Sequence, residues 1–183
     1  MFVVIVLGLI VVAALYLMFL YNGLVRLRNR IEAAWAQIDV QLKRRYDLIP
    51  NLVETVKGYA AHERETLDSV TQARAAAQSA AGPADKAQAE NMLTQTLKSL
   101  IAVSEAYPDL KANQSFLSLQ EELSATEGRI AYARQYYNDA VQGYNTKIQT
   151  FPAVLLAGAL RFQEREYFEA DGEARGPVNV KFS

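Results

Sequence analysis

A lone histidine, His62, stands beside Glu63, and an imidazole next to a carboxylate is the composition of a proton shuttle. A histidine is also what a di-iron centre in a helical bundle requires, with a Glu on each of two helices and a Glu-x-x-His on each of the others. Tyr59, not an acid, precedes His62 by three positions, and no second histidine exists, so that ligand set cannot be assembled. Cysteine is absent, which removes thiolate nucleophiles, zinc-thiolate sites and iron–sulfur clusters. No Gly-x-x-x-x-Gly-Lys loop, Gly-x-Ser-x-Gly elbow or Gly-x-Gly-x-x-Gly turn occurs. Glu121, Glu122 and Glu127 read as a solvated helix face, and His62–Glu63 as a solvated or rim pair on a second helix. No catalytic residue, metal ligand or cofactor is expected, and the chain reads as a non-enzyme.

The remaining residues of interest suit contact rather than catalysis. YDLIPN (46–51) and YPDLKAN (107–113) repeat nearly one residue set inside otherwise helical stretches. Pro50 and Pro108 each fall where a first helical turn tolerates a missing N–H. Asp47 and Asp109 are acids of the kind favoured near helix N-termini. Read as two corners, they form a candidate docking surface of Tyr46, Asp47, Pro50, Asn51, Tyr107, Pro108, Asp109 and Asn113, or simply well-capped turns. A second candidate is FPAVLLAGALRF (151–162), apolar and too short to cross a bilayer. Phe151, Leu155, Leu156, Leu160 and Phe162 would there contact lipid or another subunit, with Arg161 reaching up to the headgroups. A third is the end of the chain, where Val178, Val180 and Phe182 alternate with Asn179 and Lys181 at the period of a strand. Such a strand needs a partner edge, a copy of itself, or stays unpaired.

These residues must be carried by helices. From Phe2 to Tyr21 the chain runs twenty residues without a charge, which at ~1.5 Å per residue matches the thickness of a bilayer core. A cleaved signal peptide would carry a basic start and a small-x-small site, so a membrane-spanning anchor over residues 1–21 is expected. Arg26, Arg28, Arg30, Lys43, Arg44 and Arg45 follow it; positive charge stays cytoplasmic, so the N-terminus is expected outside and the remainder inside. Lys and Arg number 19 against 20 Asp and Glu, a balance that argues against nucleic acid as a partner.

Beyond the anchor, apolar stripes of helical period predict helices over about 22–46, 50–80, 84–106 and 109–150. Leu24, Ile31 and Ile38 repeat every seven residues. The second stripe holds Leu52, Val56, Tyr59, Leu67 and Val70, and the third Met92, Leu93, Leu97, Leu100 and Val103. Gly82-Pro83 is a stop signal, with Asp85 as the next N-cap. In the fourth helix Phe116, Leu123, Ile130, Tyr137, Tyr144 and Phe151 stand seven apart, with Ala133 and Ala140 leaving room for a neighbour. Pro50 admits a turn or a kink within one helix over 24–80; the turn is preferred because a residue before proline disfavours helical geometry. The fold class expected is all-α. A transmembrane helix leads into an antiparallel up-down four-helix bundle over 22–150, an amphipathic segment over 151–168, and an extended tail over 169–183.

YNGLVRLRNRIEAAWAQIDVQLKRRYDLIPNLVETVKGYAAHE and SEAYPDLKANQSFLSLQEELSATEGRIAYARQYYNDAVQGYN closely resemble the bacterial LemA family, over roughly residues 1–168 and including NTKIQTFP. The resemblance implies a membrane-anchored antiparallel helical bundle. It carries over no catalytic residues and no agreed activity, and one relative's part in magnetosome membrane formation hints at membrane organisation. The functional expectation is a self-associating, single-pass scaffold of the bacterial inner membrane whose partners are the lipid bilayer, copies of itself and another membrane protein. The alternatives are an adaptor or sensor subunit recruiting a membrane enzyme through the bundle tip, and a membrane-shaping protein.

Overall fold

The computed structural model describes residues 1–169, and these are all-α, with no strand among them. The helices are α1 (Phe2–Tyr59), α2 (Arg64–Ser79), α3 (Pro83–Val103), α4 (Pro108–Lys111), α5 (Gln114–Gln149) and α6 (Val154–Ala157), with one 3₁₀ turn at Ser104–Ala106. The chain divides into two compact units, and α1 and α5 each contribute to both. Among the described residues, the first comprises 1–37 and 135–166, the second 38–134 and 167–169. Val178, Val180 and Phe182 of the expected strand lie outside the described residues.

The expected turn at Pro50 is absent, because α1 runs straight through the proline to Tyr59. A proline in mid-helix has no N–H for the carbonyl four residues back, here that of Tyr46. Arg74 of α2 fills the vacancy, its Nε donating to the Tyr46 carbonyl at 2.8 Å. The break falls instead at residues 60–63, where the Glu63 N–H closes a turn on the Ala60 carbonyl. No Gly or Pro marks this corner; contacts distant in sequence hold it. Tyr107 Oη donates to Glu63, and Asn113 Nδ2 donates to Tyr59 Oη at 2.9 Å.

The compensation is testable. Arg74→Ala is expected to destabilise the chain by about 1.5–3 kcal/mol, the range for a hydrogen bond that involves a charged group. In a Pro50→Ala background, where the new alanine supplies the missing N–H, that cost should shrink. A double-mutant cycle followed by urea unfolding reads the coupling; additive costs would show that Arg74 does not stand in for the lost bond.

Elsewhere the apolar stripes pack much as their periods require. Phe116, Leu123, Ile130, Tyr137 and Tyr144 of α5 are buried, as are Ala133 and Ala140. The sixth member of the repeat, Phe151, is not: α5 ends at Gln149 and Phe151 is exposed. On α3 Leu93, Leu97 and Leu100 are buried while Met92 faces out. The helix opens on Gly82 at φ +82°, with Pro83 at its first position, so Asp85 lies in the first turn rather than at the cap.

In the first unit, residues 162–166 lie along α5. Asn145 makes a reciprocal pair with the Arg165 backbone, each bond 2.9 Å, and Tyr137 Oη donates to the Glu166 carbonyl at 2.9 Å. Trp35 of α1 meets the Tyr137 ring edge-on at 5.3 Å. The apolar start of α1 makes almost no internal contact, only 6% of its most apolar 18 residues being buried. Such a helix suggests a membrane anchor.

Candidate functional site

Leu24, Ile31, Ile38, residue 45 and Leu52 form one seven-residue series along α1, and its fourth place is an arginine. Helical periodicity therefore drives Arg45 into the core of the second unit, where it is 1% exposed. α3 repeats the anomaly, placing Glu90 among Ala87, Leu93 and Leu97, all buried. The two meet, Arg45 Nη1 donating to Glu90 Oε2 at 2.9 Å. Arg45 Nη2 donates to Thr94 Oγ1 at 2.7 Å and pairs with Glu127 Oε1 of α5 at 2.8 Å. Tyr46 Oη contacts the other Glu90 oxygen and the Ala77 carbonyl in the last turn of α2. Lys86 donates to the same carbonyl at 3.1 Å. One polar cluster thus bonds to α1, α2, α3 and α5.

The electrostatics follow from burial. Desolvation raises the Glu90 carboxyl above its ordinary 4.5, although the Tyr46 hydroxyl and the Arg45 guanidinium both favour the ion. Desolvation and the bond to Glu90 push the Tyr46 phenol up, far from ionisation at any physiological pH. Burial lowers the Arg134 guanidinium, opposed by Glu90 and Glu127; the Arg134 guanidinium lies 4.8 Å from the centre of the Phe168 ring. The groups largely satisfy one another, which suits a structural lock more than a reactive centre. The cluster's outer edge opens on a groove of about 380 Å³ between α3 and α5, lined by Thr94, Leu97, Ile101, Leu123, Ser124 and Glu127.

A carboxyl whose pKa is raised in the folded chain contributes stability that is complete below its ordinary value and is lost as pH rises through the raised one. Asp39, raised by burial against the pull of Lys86, acts in the same direction. Glu90 is faced by Arg45, Tyr46, Lys86 and Glu127. Above pH 4.5 the wild-type unfolding midpoint is expected to fall relative to that of Glu90→Gln, which lacks the titration. Parallel pH profiles of the two proteins would contradict the raised value.

The residues singled out by motif are placed differently. Tyr46, Asp47, Pro50 and Asn51 lie mid-helix in α1, ten or so residues and ~15 Å of rise before the corner. They do not join Tyr107, Pro108, Asp109 and Asn113 in one tip. Tyr46 belongs to the buried cluster; Asp47 is exposed and pairs with Lys43 at 2.8 Å. The second break does form: Pro108 opens α4, Asp109 lies in its first turn, and Asn113 Oδ1 accepts from the Phe116 N–H to cap α5. Its neighbour is the 60–63 corner, so His62 and Glu63 sit in a turn rather than on a helix. Glu127, read as solvated, is an Arg45 partner. Among the 151–162 residues, Phe151, Leu155 and Leu160 are exposed, Leu156 is half-buried and Phe162 is buried. Sequence reasoning misses Arg45 and Glu90, although a charge inside an apolar repeat is the available signal.

Fold and site together define an all-helical protein with an apolar N-terminal helix and a buried ion-pair lock, and no group of three or more possible metal ligands occurs among the described residues. The model of the LemA family matches residues 34–182, and the chain belongs to that family. It is 30% identical to Protein LemA of Metamycoplasma hominis over 87% of this chain and 73% of that one. It is 26% identical to Magnetosome protein MamQ 2 of Paramagnetospirillum magneticum and 25% identical to Magnetosome protein MamQ of Magnetospirillum gryphiswaldense, in each case over 86% of this chain and 68% of the relative.

Proposed function

We propose that the protein is a non-enzymatic scaffold of the bacterial inner membrane, anchored by residues 2–21 with its N-terminus outside and its helical units in the cytoplasm. The observation that carries this reading is the continuity of α1: the helix that holds the apolar run also holds Arg45 and Tyr46. Whatever binds the second unit is therefore joined to the anchor by one unbroken helix. The arginines after the span support the orientation. The 60–63 corner beside the 107–113 corner supports an antiparallel four-helix arrangement of α1, α2, α3 and α5. Self-association is the expected mode of assembly, since copies of one chain repeat every exposed surface.

Crosslinking in native membranes followed by mass spectrometry tests the scaffold. Crosslinks between copies of this chain are expected to dominate. One dominant foreign membrane protein would instead favour the adaptor, docking at Tyr59, Tyr107 and Asn113 rather than at Tyr46. The magnetosome names of two relatives support a second reading, a membrane-shaping protein, which predicts altered vesicle diameter on reconstitution of the full chain.

A further inference from the structure

Residues 151–162 have two faces. Ala153, Ala157 and Phe162 are buried, while Phe151 is 79% and Leu155 70% exposed, with Val154 and Leu160 also open. The segment folds as a cis Phe151–Pro152 bend, the α6 turn and a helix end of Schellman form. There the Phe162 N–H reaches back five residues to the Ala157 carbonyl at 2.9 Å, and Arg161 takes the left-handed conformation at φ 59°. That end turns the Phe162 ring inward and leaves the Arg161 side chain exposed.

What Phe162 touches sets the level of the segment. Its ring meets Tyr21 edge-on at 5.7 Å, and the Arg28 guanidinium lies 6.0 Å from its centre. Tyr21 is the last residue of the apolar run before the polar Asn22, and Arg28 follows it by two turns. On the anchored reading, Phe162 is held beside the end of the span, where tyrosine and arginine prefer the boundary between hydrocarbon and headgroups. We propose that Phe151, Val154, Leu155 and Leu160 form a second membrane contact, an apolar wedge lying in the headgroup–acyl boundary beside the anchor, with Arg161 directed to lipid phosphates. Four open apolar side chains in the segment that Phe162 closes, too short to span, match an interfacial element. Lipid is the committed occupant because the patch is continuous with the span through Tyr21 and Phe162.

The proposal rests on the anchored reading above, and the test separates the two. Because the chain has no cysteine, Leu9→Cys, Thr146→Cys and Leu155→Cys each give one nitroxide site in the full-length protein. Leu155 is exposed, so the label leaves the core intact. In vesicles of phosphatidylethanolamine and phosphatidylglycerol, collisions with oxygen report lipid and collisions with an aqueous nickel chelate report water. The label at 155 is expected to show a several-fold loss of nickel access relative to the one at 146, approaching the label at 9. If 155 behaves like 146 while 9 remains in lipid, the wedge is wrong and the anchor stands. If 9 is itself open to nickel, anchor and wedge both fall. Strong spin–spin broadening between labels at 155 would assign the patch to a second copy and overturn the lipid contact.

Discussion

Replacing Arg45 with methionine is expected to destabilise the folded chain by about 3–5 kcal/mol, the cost of breaking a buried pair from one side. Methionine fills similar volume, so the loss is electrostatic: Glu90 stays 2% exposed with its guanidinium gone, and Thr94 and Glu127 lose their shared donor. Adding Glu90→Leu should recover most of the loss, because removing both charges of a buried pair is often neutral or stabilising. Tyr46 Oη keeps the Ala77 carbonyl as acceptor in that double variant. Urea unfolding of wild type, Arg45→Met, Glu90→Leu and the pair measures the coupling directly. Costs that simply add would show that the two charges do not depend on each other. A recovered but loosely packed double variant, judged by broadened spectra, would mean the pair contributes uniqueness of packing beyond stability.

Arg45 also shows where sequence reasoning stops. Its position in the series 24, 31, 38, 45, 52 is fully legible, but a charge after an apolar span reads first as an orientation signal, because arginine is rarely buried without a partner. The partner, Glu90, lies 45 residues away, and local pattern carries no information about that pairing. The expectation at Pro50 fails for a related reason. The rule that proline ends a helix holds when the freed carbonyl goes to water; here Arg74, another distant residue, takes it. The corner actually used, Ala60–Glu63, has no turn residues, so its signal lies only in the contacts of Tyr59 with Asn113 and Glu63 with Tyr107. By contrast the all-α class, the repeat from Phe116 to Tyr144, and the Gly82-Pro83 and Tyr107-Pro108 breaks rest on period and local backbone chemistry. Those are readable from the chain alone.

Deletion of residues 2–19 is expected to move the protein from the membrane fraction to the soluble one without unfolding it. The deleted stretch makes almost no internal contact, and Leu20, which is buried, and Tyr21, which meets the Phe162 ring, are kept. The transfer energy lost is large. Leu, Ile, Phe and Val at ~0.3–0.6 kcal/mol each dominate the run, giving about 4–8 kcal/mol of insertion preference. Wild type should therefore resist alkaline carbonate extraction while the deletion variant is released, with an unchanged urea midpoint in detergent-free buffer. A smaller perturbation grades the effect: Leu9→Asp near mid-span is expected to cost about 2.5–3.5 kcal/mol of insertion and to give partial extraction. If the deletion variant stays membrane-bound and resists carbonate, the anchor cannot be the main attachment, and the exposed 151–160 face becomes the first place to look. If wild type itself is released by carbonate, the apolar start of α1 is serving as an interface with another protein rather than with lipid.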